Sequence, residues 1–232
     1  TNGVEARDIY SFGRQNWFDH SAREHRSVRE NVGVFDMSSF GKYLVQGRDA
    51  CQVLERVSAN RMDVDPGRVV YTQWLNDDGG IEADLTVTRL SDEEYLVVTA
   101  AASQTRDLHW LKSSIRPGEH VFATDVTGAY SVLSVMGPRS REMLQTLTPA
   151  QLSSEAFPFG TSQEIEMGYA LVRATRISYV GELGWEIYVS ADQSAHVFEV
   201  LAEAGADMDL KLCGMHMMDS CRIEKGFRHF GH

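Results

Sequence analysis

Between Tyr71 and Val87 the chain passes from one alternating run into another through Asp77-Asp78-Gly79-Gly80. Glycine accepts the positive φ that tight hairpin turns demand, so two antiparallel strands are predicted here. In the second strand Ile81, Ala83, Leu85 and Val87 alternate with Glu82, Asp84, Thr86 and Thr88. Successive side chains point to opposite sides of a strand, so one face is apolar and the other carries two carboxylates and two hydroxyls. That polar face has two readings. It meets water, as in most antiparallel sheets, or it presents a carboxylate on a rigid support for proton transfer or for holding a nitrogen nucleophile.

Helices alternate with strands along the rest of the chain. Asp19 to Asn31 is charged and helical in pattern, with Gly33 as its stop. A strand through Tyr43 and Val45 ends at Gly47, and Asp49 caps a helix to about Val57 with Val53, Leu54 and Val57 as its apolar stripe. Tyr95 to Thr99 is a strand, Thr105 to Ile115 a helix, and Pro117-Gly118 closes the first half. The order then recurs: a strand Val132 to Met136, a helix Arg139 to Leu147, strands Tyr169 to Ser178 and Trp185 to Val189, and a helix capped by Asp192 running to about Ala204. Sliding the chain by 90 residues lays Val45-Gln46-Gly47 over Val135-Met136-Gly137 and Leu54 over Leu144. Two such halves suggest a diverged duplication with a ligand site in the crevice between them. Antiparallel hairpins mixed with helices make the fold class α+β rather than a doubly wound parallel sheet.

With 232 residues the chain can bury a large core, as one large or two small domains. The balance of 22 basic against 33 acidic residues, a formal charge of −11, argues against nucleic-acid binding, which needs a basic surface to displace counterions. No apolar run approaches the ~20 residues of a membrane span, so no membrane partner is expected. The opening Thr-Asn-Gly-Val-Glu-Ala-Arg has neither the basic nor the apolar part of a secretory signal and no initiator methionine, as expected of a piece of a longer or processed protein. Three cysteines, Cys51, Cys213 and Cys221, do not make a disulfide framework, which fits a reducing compartment.

Two further segments carry polar groups in suggestive places. In Tyr179-Val180-Gly181-Glu182-Leu183-Gly184 the glycines permit a tight turn from which Glu182 projects. Glu182 is either a solvated turn acid or an acceptor of two parallel hydrogen bonds from an aminopyrimidinone edge. In Met215 to Phe230, Asp219 and Arg222 lie three apart on a helix and can pair, and Arg222, Lys225 and Arg228 either hold an anionic tail or form a solvated face. Cys213 with His216, and His229 with His232, have helical spacing but no accompanying metal motif, so no metal site is expected. Neither a dinucleotide-binding Gly-x-Gly-x-x-Gly, a Gly-x-Ser-x-Gly elbow nor a phosphate loop is present.

Taken in order, Arg14-Gln15-Asn16-Trp17-Phe18, Phe35-Asp36-Met37-Ser38-Ser39-Phe40-Gly41-Lys42, the Tyr71 to Val87 hairpin, the Tyr179 to Tyr188 turn and Arg222-Ile223-Glu224-Lys225-Gly226-Phe227-Arg228-His229-Phe230-Gly231-His232 resemble the tetrahydrofolate-binding aminomethyltransferase family, the T-protein of glycine cleavage and its relatives. The likeness is closer to the folate half of dimethylglycine and sarcosine dehydrogenases. It implies an aminomethyltransferase fold of two pseudo-repeated mixed α/β halves around a central folate cavity. A lead segment 1–36 would precede a folate-binding domain over 37–232, with halves of about 37–118 and 119–232 and without the family's C-terminal β-rich domain.

The resemblance further implies tetrahydrofolate as cofactor, held by Tyr71, Asp84, Tyr179, Glu182 and Arg222, with Asp84 catalytic. The T-protein usually has arginine where this chain has Met218. The implied activity is capture of an iminium carbon, at the level of formaldehyde, from oxidation of a dimethylglycine- or sarcosine-type N-methylamine, giving 5,10-methylenetetrahydrofolate. FAD would belong to an upstream flavin domain, and the setting would be bacterial cytoplasm or the mitochondrial matrix. The alternatives are a folate-binding or docking module without chemistry of its own, and a folate-dependent demethylase or methyltransferase.

Overall fold

A computed structural model describes residues 7–231; the opening residues read above for a secretory signal, and His232, lie outside them. In chain order the elements are α1 (Phe18–Glu30), β1 (Gly33–Asp36), β2 (Gly41–Gln46), α2 (Ala50–Val57), β3 (Val69–Leu75), β4 (Ile81–Ser91), β5 (Glu94–Thr99), α3 (Gln104–Ser113), β6 (Phe122–Asp125), β7 (Tyr130–Met136), α4 (Ser140–Gln145), β8 (Ser162–Met167), β9 (Ala170–Thr175), β10 (Gly184–Ser190), α5 (Ser194–Ala204), β11 (Lys211–Leu212) and α6 (Met215–Glu224). None of these helices is long and apolar enough to cross a membrane.

The strands form two sheets, ordered β3-β4-β5-β2-β6 and β8-β9-β10-β7-β1-β11. Reading β7 for β2, β8 for β3 and so on, the two orders coincide, with β1 inserted beside β7. The local geometry repeats at the same offset of 90. Gly47 and Gly137 follow the first strand of each set with φ of +132° and +139°. Their amides donate to the carbonyls of Glu93 and Leu183. A Cβ at either glycine would run into a neighbouring carbonyl oxygen, that of His120 or of Asn31, so both positions require glycine. Two strands fall outside the divisions drawn from sequence. β1 comes from the lead segment yet belongs to the second sheet, and β6 lies past Pro117-Gly118 yet completes the first. Gly33 opens β1 rather than stopping α1, whose C-cap is Asn31.

Three clusters of apolar side chains organise these elements. α2 and α3 cover the outer face of the first sheet over Trp74, Ala83, Leu85, Val87, Tyr95 and Val97. α4 and α5 cover the outer face of the second over Val135, Trp185, Ile187 and Val189. The middle cluster takes Leu96 and Val98 from β5, Val132 and Met136 from β7, Phe35 from β1, Tyr188 from β10, Val28 from α1, and Met217, Met218 and Cys221 from α6. The two sheets therefore share a middle layer, closed by α1 and α6, and residues on their inner faces look into it.

Candidate functional site

The alternation along β4 sorts its side chains. Ala83, Leu85 and Val87 join the outer core, which puts Asp84, Thr86 and Thr88 on the inner face, opposite the Val98 and Leu96 of the middle cluster. On β3 the register places Gln73 opposite Asp84 and Tyr71 opposite Thr86, so these four share that face. The connecting turn is held by Asn76, whose Oδ1 accepts from the amides of Asp78 and Gly80, with Gly79 at φ +78°.

Gln73 Nε2 donates to Asp84 Oδ1 at 3.1 Å, and the main-chain amide of Phe230 donates to Oδ2 at 2.7 Å. Both carboxylate oxygens are thus oriented. The Tyr71 ring is half-exposed, but burial around its hydroxyl, together with the neighbouring Asp84 carboxylate, pushes the phenol up to about 12.

Tyr179 faces the same group from the second half. Burial raises its phenol, Arg222 opposes the shift, and Asp219 and Asp84 add to it. The Tyr179 hydroxyl lies 2.7 Å from His229 Nδ1, and its ring stacks on Phe227 with centroids 6.2 Å apart. Arg222 is buried, donates from Nε to Asp219 Oδ1 at 3.0 Å and reaches the Phe227 carbonyl with Nη1. Met218, one turn away, is 2% exposed and packs in the middle cluster. A methionine there extends the core, where an arginine would have to bury its charge.

The structure thus brings Asp84, Tyr71, Tyr179 and Arg222 into one neighbourhood and ties Glu182 elsewhere. Glu182 Oε1 accepts from Arg29 Nη1 at 3.0 Å. Arg29, on α1, also donates to the carbonyls of Val180 and Cys221 and to Glu224. The Gly181 turn tucks under the Lys225 side chain. Glu182 is therefore neither a free turn acid nor a carboxylate with both oxygens open; one is committed to a cation.

Sequence reasoning passed over Glu186, the acid between Trp185 and Ile187 on β10. Those two neighbours point into the outer core, so Glu186 points inward with Tyr188. It is buried, accepts from the Tyr188 hydroxyl at 2.6 Å, and burial pushes its carboxyl pKa up. The one cue in the sequence is a lone acid amid Trp185, Ile187, Tyr188 and Val189; that the strand is buried at six of its seven positions emerges only from the structure. Each sheet thus presents an acid to the middle layer, Asp84 from the first and Glu186 from the second. Of the residues considered for metal, His216 stacks on Trp17 and Cys213 Sγ approaches the Lys211 carbonyl, while His232, the proposed companion of His229, lies outside the described residues.

Apart from the inserted β1, the two sheets share one strand order and enclose a layer edged by carboxyl and phenol groups. The chain belongs to the GCVT N-terminal domain family, which matches residues 1–232. It is 46% identical over 225 residues to the 4-methylaminobutanoate oxidase (formaldehyde-forming) of Paenarthrobacter nicotinovorans, covering 96% of this chain and 27% of the oxidase. It is 37% identical to the mitochondrial dimethylglycine dehydrogenase of Mus musculus, over 95% of this chain and 25% of that one. It is 34% identical to an aminomethyltransferase of Halothermothrix orenii, covering 90% and 57%. Among solved structures, the glycine cleavage aminomethyltransferase T of Bartonella henselae shares the fold with a TM-score of 0.79 at 24% identity, covering 96% of this chain and 60% of that one. The chain spans about a quarter of the length of its oxidase and dehydrogenase relatives.

Proposed function

We propose that this domain holds tetrahydrofolate against the inner faces of its two sheets and directs onto it the carbon lost from an N-methylamine of the dimethylglycine or sarcosine type. The observation that carries this reading is the convergence of Asp84, Tyr71 and Tyr179, drawn from both halves. The residues suit such a group. Tyr71, Tyr179 and Phe227 offer ring faces to a planar heterocycle, and Asp84 offers a carboxylate to its N–H groups. Folate, when bound, supplies the nitrogens that take up a carbon at the level of formaldehyde as 5,10-methylenetetrahydrofolate. As the carbon passes to folate its bond to the substrate amine would break, the departing amine keeping one of the two displaced N–H protons and Asp84 taking the other, while Gln73 and the Phe230 amide would hold the Asp84 oxygens in register. Tyr71 and Tyr179 would border the ring, and Arg222, stiffened by Asp219, would set the charge beside it. Positioning of this kind is worth up to roughly 7–11 kcal/mol in favourable cases. FAD, and the oxidation that makes the iminium, would belong to an upstream flavin domain of a longer protein, in bacterial cytoplasm or mitochondrial matrix.

Two carboxyls compete for the pterin edge: Glu182, half committed to Arg29, and buried Glu186. Titration calorimetry of 5-formyltetrahydrofolate into the full-length protein separates them. Glu186→Gln weakens binding at least tenfold if the inner face holds the ring; the same loss in Glu182→Gln alone assigns it to the turn. Absence of binding by the wild type contradicts the folate reading.

A second reading has its own support. A relative 46% identical to this chain is named for forming formaldehyde, and both Asp84 oxygens already hold donors. In that reading the domain binds folate or docks the flavin domain without chemistry of its own. Folate binding by Asp84→Asn, with release of free carbon unchanged from wild type, favours it. A folate-dependent demethylase or methyltransferase would instead leave methyltetrahydrofolate as product.

A further inference from the structure

α6 ends in a way that sends the following residues back toward the first sheet. The Phe227 amide donates to the Arg222 carbonyl and the Gly226 amide to that of Ile223, both at 2.9 Å, with Gly226 at φ +70°. This is the bonding of a Schellman cap, with glycine in the left-handed position. Beyond the cap the Phe227 ring stacks on Tyr179, and the Phe227 carbonyl accepts from Arg222. Two residues later His229 Nδ1 meets the Tyr179 hydroxyl at 2.7 Å, and the next amide, that of Phe230, donates to Asp84 Oδ2 at 2.7 Å. Consecutive residues thus hold a phenol that precedes β10 in the second half and a carboxylate on β4 in the first. The Phe230 ring is itself half-exposed, so hydrogen bonds rather than ring burial fix this end.

We propose that His229 is a positioning residue of this site: by holding the Tyr179 hydroxyl it fixes the Gly226–Phe230 strap, whose Phe230 amide orients Asp84. The functional readout rests on the folate reading above; the strap itself does not. Nothing in the side-chain pattern marks this role, because the group that reaches Asp84 is a main-chain N–H.

The test is a double-mutant cycle in the full-length protein, read by calorimetric titration of 5-formyltetrahydrofolate. His229→Phe weakens binding about tenfold, the size of one lost hydrogen bond to a site group. His229→Gln, which can still pair with the hydroxyl, recovers to within about threefold. In a Tyr179→Phe background His229→Phe adds less than about twofold, because the two residues act as a unit. Equal losses in both backgrounds, or wild-type binding by His229→Phe, overturn the proposal. Should the wild type not bind this folate at all, the folate reading falls, and hydrogen exchange without ligand decides the strap. The Phe230 amide then exchanges about tenfold faster in His229→Phe than in wild type. Unchanged protection at Phe230 overturns the proposal.

Discussion

Arg29 joins three elements through one guanidinium, so its replacement by leucine tests how the site is framed. The wild-type side chain is 19% exposed and donates to Glu182, to the Val180 and Cys221 carbonyls, and through two nitrogens to Glu224. Glu224 is 54% exposed, so that pair contributes little, within about 0–1 kcal/mol. Each carbonyl bond contributes about 1 kcal/mol or somewhat more, since its donor is charged. The Glu182 carboxylate, 22% exposed, is left half-buried without its cation. Because these contributions share one group they do not add in full, and the expected loss is about 3 kcal/mol. For a domain of this size that is a fall in Tm of roughly 6–12 °C.

The assay is urea unfolding monitored by tryptophan fluorescence, with Glu224→Ala as the comparison at under about 1 kcal/mol. The pH dependence has a definite sign. The hydrogen bond from Arg29, ahead of the other causes, lowers the Glu224 carboxyl below its ordinary 4.5. A lowered acid contributes stability above its unfolded value and loses it as pH falls through the folded one. The gap between wild type and Arg29→Leu therefore narrows below pH 4.5. A loss under about 0.5 kcal/mol at neutral pH, or Glu224→Ala costing as much as Arg29→Leu, refutes the reasoning.

Two other expectations follow from the same geometry. Gly137→Ala combines a φ of +139° with a Cβ against the Asn31 carbonyl, so it costs more than about 2 kcal/mol in urea unfolding; a neutral substitution would deny that the second sheet needs glycine there. Ultraviolet titration should show Tyr71 ionising near pH 12, identified by its loss in Tyr71→Phe, with an earlier ionisation in Asp84→Asn. Since its folded value is raised, the stability it contributes is whole below pH 10 and is lost as pH rises through about 12. Ionisation near 10 in the wild type would show that the Tyr71 hydroxyl and Asp84 do not meet.

Much of the scaffold was legible because its cues are local. Alternation and Gly79 mark the β3–β4 hairpin, and the apolar stripes Val53-Leu54-Val57 and Leu108-Leu111-Ile115 mark α2 and α3. The offset of 90 between Gly47 and Gly137 reflects two turns that need glycine for the same reason. Short strands and those that change sheet were not legible. β8 reads Ser-Gln-Glu-Ile-Glu-Met after a turn-rich loop, β11 has two residues, and β1 crosses into a sheet built almost wholly from the other half. At the site, Asp84 could be placed on a polar face from its spacing alone. Glu182 could not be placed, because its partner Arg29 lies 153 residues away. Glu186 was hidden because ordinary alternation looks the same whether the polar face meets water or a buried layer. The Phe230 contact was out of reach of any reading of side chains.

The central claim is that Asp84 works on a bound folate, and the most direct test follows the carbon. An N-methyl-labelled amine substrate is turned over by the full-length protein with tetrahydrofolate present, and label is partitioned between methylenetetrahydrofolate and free formaldehyde. The account predicts that wild type places most label on folate. It predicts that Asp84→Asn, still folded and still oxidising the amine, shifts it to formaldehyde by about a hundredfold, within the range of a lost general base. An unchanged partition in Asp84→Asn would contradict it.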